Sequence, residues 1–103
     1  MEDVERIAVV ISPKKPFKDW VKSVDPVSDD GGLDISTVYL IPPFETEQEI
    51  NSFLQKRYAQ IFENELEAWY VDEDVWPKNR TYKMFKEWLD VKIHDMVFDL
   101  SAN

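Results

Sequence analysis

Residues 63–74 hold six carboxylates and no cation: Glu63, Glu65, Glu67, Asp72, Glu73 and Asp74. Crowded carboxylates repel one another, so such a run costs stability unless a cation or a basic partner offsets it. Trp69, Tyr70 and Trp76 are interleaved with the acids, and Lys78 and Arg80 follow. Tryptophan and arginine are enriched among the residues that dominate binding energy at protein interfaces. Glu67, Trp69, Asp72, Glu73, Asp74, Trp76 and Arg80 are therefore the candidate partner-binding residues, and the partner they suit is a basic protein. The bland alternative is structural. Trp69 would extend the buried stripe of a helix, Trp76 with Pro77 would plug the end of a sheet, and Arg80 would pair with Asp72 or Asp74.

A metal-binding reading starts from the same acids, because Asp72 and Asp74 offer oxygen ligands suited to magnesium or calcium. The calcium-loop pattern of alternating ligands, a central glycine and a distal glutamate is missing, so no metal or other cofactor is assigned. An enzyme would need Asp72, Asp74, Asp95, Asp99 and the single histidine, His94, to converge in one cleft. A general base also needs a substrate-facing partner and a group that orients it, and no spacing around His94 supplies either. No catalytic residue is assigned. The loop Asp29-Asp30-Gly31-Gly32 follows a helix and precedes a strand, the reverse of a phosphate-cradling loop, and its charges are negative. Lys14, Lys15, Lys18 and Lys22 make a second, basic group at the start of a helix, where Pro16 removes an amide that an anion would use.

The whole chain argues in the same direction. It carries 21 acids against 12 bases in 103 residues, a formal net charge of −9, which opposes contact with a nucleic-acid backbone or an anionic membrane. The absence of cysteine excludes disulfides, thiol catalysis and thiolate zinc sites. At 44% hydrophobic and 14% aromatic the chain has the composition of one globular domain, residues 1–103. An acidic amino terminus and the lack of a long apolar run predict a soluble, cytoplasmic protein.

These side chains need a scaffold, and the pattern supplies one organised around residues 46–69. Ile50, Phe53, Leu54, Tyr58, Ile61, Phe62, Leu66 and Trp69 recur at spacings of three and four, the mark of an amphipathic helix. Thr46 and Glu49 form a capping box at its start. Its end is less sharply marked, since residues 65–71 also alternate and suit an edge strand; helix through about Trp69 is preferred. Residues 7–11 (Ile-Ala-Val-Val-Ile) predict a central strand covered on both faces. Pro16, Phe17, Trp20, Val21 and Val24 predict a short helix, and residues 35–41 a second strand halted by Pro42-Pro43. Strand, helix and strand suggest a βαβ unit with a right-handed crossover. A third helix is expected over roughly 80–90, capped by Asn79 or Thr81. Residues 91–100 alternate but change phase, which a bulge near Asp95 would reconcile.

Several of these segments, taken in order, resemble a group of small uncharacterised bacterial proteins: Ile41-Pro42-Pro43, Glu65-Leu66-Glu67-Ala68-Trp69, Trp76-Pro77-Lys78-Asn79-Arg80, Phe85-Lys86-Glu87-Trp88 and Val97-Phe98-Asp99-Leu100. The resemblance covers about the last sixty residues and implies a bacterial origin. That group has no assigned activity, so no functional residue is carried over.

The expected fold is α/β or α+β, a small three-stranded sheet in the order β-α-β-α-α-β with helices packed on it. The expected function is a non-enzymatic, acidic protein-interaction domain of an immunity, antitoxin or regulatory type. A metal-dependent carboxylate enzyme or binder is the first alternative. A structural subunit or homodimer, paired through an open sheet edge, is the second.

Overall fold

The computed structural model describes residues 1–26 and 36–101. The expected Asp29–Gly32 loop and the strand start at Ile35 lie outside the described residues. Three helices pack on a three-stranded antiparallel sheet, and a two-stranded ribbon stands beside it, giving a mixed α+β fold.

Strand β1 (Glu2–Asp3) is followed by β2 (Ile7–Pro13), helix α1 (Lys15–Val24), β3 (Thr37–Ile41) and helix α2 (Glu47–Glu67). A 3-10 turn over Glu73–Val75 leads to α3 (Tyr82–Trp88), β4 (Leu89–His94) and β5 (Phe98–Asp99). The main sheet has the order β3-β2-β4, so the apolar run of β2 is central, as its composition predicts.

Three details differ from the sequence reading. First, among the described residues helices cover β2 on one face only. Ile7, Val9 and Ile11 enter the core, whereas Ala8 and Val10 share the opposite face with Val38 and Leu40, which are 58% and 54% exposed. A run apolar in both parities fits this arrangement too, because small side chains on a central strand are shielded by the strands beside it. Second, β2 and β3 are antiparallel, with Ile7 opposite Ile41 and Ile11 opposite Thr37, so they form no right-handed parallel crossover. The connection through α1 is long enough to return to the end where β2 finished. Third, no bulge joins residues 91–100 into one strand. The phase change falls where β4 ends and β5 leaves to pair with β1, Glu2 opposite Asp99. A bond from the Val4 amide to the Val97 carbonyl, 3.0 Å, ties the ribbon at its base.

The helices have local chemical causes. Proline at the start of α1 needs no amide there and presets φ. In α2 the Glu49 amide donates to Thr46 Oγ1 at 3.2 Å and the Thr46 amide donates to Glu49 Oε1 at 3.2 Å, completing the predicted capping box. Thr81 caps α3 through the Met84 amide, 3.1 Å. Asn79 instead takes a left-handed conformation, φ 55°, which asparagine tolerates better than most residues.

One core cluster joins all three helices to the sheet, and aromatic rings carry much of it. Phe17 meets Trp88 edge-on at 6.1 Å, Trp88 meets Phe62 at 5.8 Å, and Phe62 meets Phe85 at 6.0 Å. Each ring is thus fixed by rings from a different helix, within the distances at which aromatic pairs attract.

Candidate functional site

The acidic turn hangs from the core by two indoles. Trp76 is buried, 6% exposed, and its Nε1 donates to the Tyr70 carbonyl at 2.7 Å. Trp20 of α1 donates from Nε1 to the Val75 carbonyl at 2.9 Å. Arg80 lies over the Trp76 ring at 5.7 Å, donates to the Pro77 carbonyl at 2.9 Å, and pairs with Glu63 at 3.1 Å. Its ion-pair partner is therefore Glu63 of α2, not the expected Asp72 or Asp74. Asp72 is occupied locally, accepting the Asp74 amide at 3.0 Å as the cap of the 3-10 turn.

The carboxylate run divides by direction. Glu63 is neutralised by Arg80, and Glu65 points inward. Glu67, Asp72, Glu73 and Asp74 are exposed, and no ion pair among the described residues engages them. Trp69 beside them is half-buried against the core. Trp76 and Arg80 hold the turn from below, while Asp72, Glu73 and Asp74 form its outer surface and Glu67 stands at the end of α2 beside it.

Glu65 is the polar residue that periodicity hides. It is 8% exposed, yet it sits one turn after Ile61 on the buried side of α2. Both carboxylate oxygens are met from β3. Thr37 Oγ1 donates to Oε1 at 3.1 Å, and the Tyr39 hydroxyl donates to Oε2 at 2.5 Å. Asn64 Nδ2 in turn donates to the Tyr39 hydroxyl at 2.8 Å. Burial pushes the Tyr39 phenol well above its usual range; the Asn64 bond opposes this and Glu65 adds to it. The available signal was Thr37 and Tyr39 at alternate positions of one strand, two hydroxyls on the face that meets α2.

Along the same seam a groove of about 510 Å³ opens between β3 and α2, lined by Tyr39, Leu40, Ile41, Phe53, Arg57, Gln60, Ile61, Glu63, Asn64 and Glu67. Beyond it, Thr37, Asn64, Glu65, Glu67, Ala68 and Val71 line a second depression of about 390 Å³. Asn64 and Glu67 border both, so the groove runs toward the acidic turn.

The five residues of the enzyme alternative are not brought together. His94 pairs with Ala8, while Thr37, which shares a depression with Val71, pairs with Ile11. Those positions lie about 10 Å apart along β2 at the usual strand rise. Asp95 borders a hollow with Asp3 and Glu5, and Asp99 belongs to the ribbon. Among the described residues no group of three or more His, Asp or Glu is placed to hold a metal ion, which leaves Asp72 and Asp74 without further ligands.

The chain matches no known protein family, curated protein or solved structure. No described helix is long and apolar enough to cross a membrane.

Proposed function

We propose that this chain is a non-enzymatic, acidic protein-interaction domain that engages a basic protein, in the manner of an immunity, antitoxin or regulatory protein. The observation that carries the reading is the set of exposed carboxylates Glu67, Asp72, Glu73 and Asp74, which make no ion pair among the described residues, at and after the end of α2 on a turn anchored by Trp20 and Trp76. A fixed array of like charge needs no ordering when it meets a cationic surface, and the field it creates steers encounter. The test is charge reversal. Glu67→Lys, Glu73→Lys and Asp74→Lys together, which spare the Asp72 cap, should leave the melting temperature nearly unchanged. They should also abolish capture of a basic protein from the native cell extract at low salt. Capture that survives all three reversals would sink the reading.

A homodimer is the second reading, favoured by the exposure of Val38 and Leu40 on the face of the sheet that no described helix covers. Three strands about 4.8 Å apart and five or six residues long cover only about 250 Å² per copy, well short of the roughly 800 Å² of a stable interface. Dimerisation through that face would need other surfaces to join it. Sedimentation of the wild type and of Leu40→Lys decides it.

A further inference from the structure

We infer that the groove between β3 and α2 receives an extended, cationic peptide segment of the partner as an added strand on the free edge of β3. The inference rests on the acidic-partner reading and names the form in which that partner binds. β3 is an edge strand, hydrogen-bonded only to β2 among the described residues. In an antiparallel ladder, alternate residues of an edge strand direct their N–H and C=O groups outward, where an incoming strand completes them.

The groove explains why the occupant would be extended. Its far wall is one face of α2, with Phe53, Arg57, Gln60, Asn64 and Glu67 placed three or four residues apart. Five strand residues span about 16 Å and fifteen helical ones about 22 Å, so the wall accompanies β3 along its whole length. Phe53, with the rims of the buried Ile41 and Ile61, offers apolar contact to the helix-facing side chains of an added strand, while Leu40 lies on the other face of the sheet. The buried Glu65, gripped by Thr37 and Tyr39, fixes the distance between wall and edge.

Charge sets the polarity. Arg57 lies over the Phe53 ring at 5.4 Å, toward the end of β3 marked by Ile41, while Glu67 stands at the end marked by Thr37. Cationic residues of the peptide therefore lie toward Glu67, and from there the chain reaches Asp72 and Asp74. Because strand side chains alternate between faces, only the helix-facing positions meet the α2 wall, apolar ones beside Phe53 and cationic ones beside Glu67, so the peptide is apolar at one end and cationic at the other.

The probe is an acetylated eight-residue peptide of four valines followed by four lysines, which an antiparallel added strand sets beside Phe53 and Glu67 respectively, with two relatives: one N-methylated at every amide, and one carrying glutamate for lysine. Binding is followed by titration and by amide hydrogen exchange of the intact protein. The valine–lysine peptide should bind, slow exchange at alternate residues of β3, and weaken several-fold with Glu67→Lys, whose melting temperature should match wild type. Methylation should abolish binding and protection. If the methylated peptide binds as tightly and β3 gains no protection, strand addition is overturned while the acidic-partner reading stands. If the glutamate peptide binds as well as the lysine peptide, both are overturned.

Discussion

The Tyr39 hydroxyl donates to Glu65 Oε2 at 2.5 Å, from a strand to a helix, across the seam that borders the groove. Thr37, two residues earlier on the same strand face, holds the other oxygen at 3.1 Å. A carboxylate with no cation beside it is thereby buried on hydroxyl donors. Such a network is stabilising only while every member is present, because a donor removed leaves a charged acceptor without its partner.

Tyr39→Phe should consequently cost about 1–3 kcal/mol, the range for an unsatisfied buried polar group. Urea unfolding of the two proteins at neutral pH measures it. A difference below the precision of the midpoint would mean that Glu65 is sufficiently solvated without the phenol.

The same pair predicts an alkaline limb of stability. The Tyr39 phenol in the folded chain is raised above its ordinary value of 10.0, so the unfolded chain releases that proton first. The contribution is complete below about pH 10 and is lost as pH climbs toward the higher folded value. Wild type should lose stability above about pH 10 more steeply than Tyr39→Phe. Parallel urea midpoints for both proteins across that range would contradict the assignment.

Core truncations should separate the two faces of the molecule. Phe62→Ala removes a fully buried ring that meets rings of α3 and should cost about 3–5 kcal/mol; Ile61→Ala should cost about 2–5. Val38→Thr, on the open face of the sheet, should stay within about 0.5 kcal/mol. Thermal melts of the three variants check the ranking.

Thr46→Ala deletes one half of the capping box of α2 and should cost about 1 kcal/mol. Glu49→Gln keeps the reciprocal bond and should cost less. Equal losses would show that charge at the helix start, rather than the box geometry, carries the effect.

Trp76→Ala should destabilise by about 3–5 kcal/mol, as expected for a large buried ring. Asp74→Asn, at the exposed surface above it, should be nearly silent in a melt. The contrast checks the division between anchor and outer surface.

What was legible in the chain was what is decided locally. Thr46 and Glu49 specify a helix start through bonds three residues apart, and Pro16 with Phe17, Trp20 and Val21 specifies another. The end of α2 is less legible, since the stripe runs on to Trp69 and residues 65–71 also suit a strand, whereas the helix stops at Glu67. Partners distant in sequence were not legible: Arg80 turned to Glu63 because α3 packs beside α2, a choice made by tertiary packing. Ala8 and Val10 read as interior, although no described helix covers their face, since hydrophobicity does not say what provides the cover. Glu65 was grouped with the surface acids because carboxylates are seldom buried, and Tyr39, its decisive neighbour, lies twenty-six residues away. At the candidate surface the exposed acids were readable from composition. The groove was not, because it exists only where β3 and α2 meet.

Two of the four tryptophans bond their indole nitrogens to the backbone of the acidic turn, Trp20 at Val75 and Trp76 at Tyr70. The turn thus contains its own optical reporter. Any loosening there breaks an indole bond and wets a ring, shifting emission to longer wavelength while the rest of the fold stays intact. Tryptophan emission therefore reports whether the turn is seated on the core, with no dye attached.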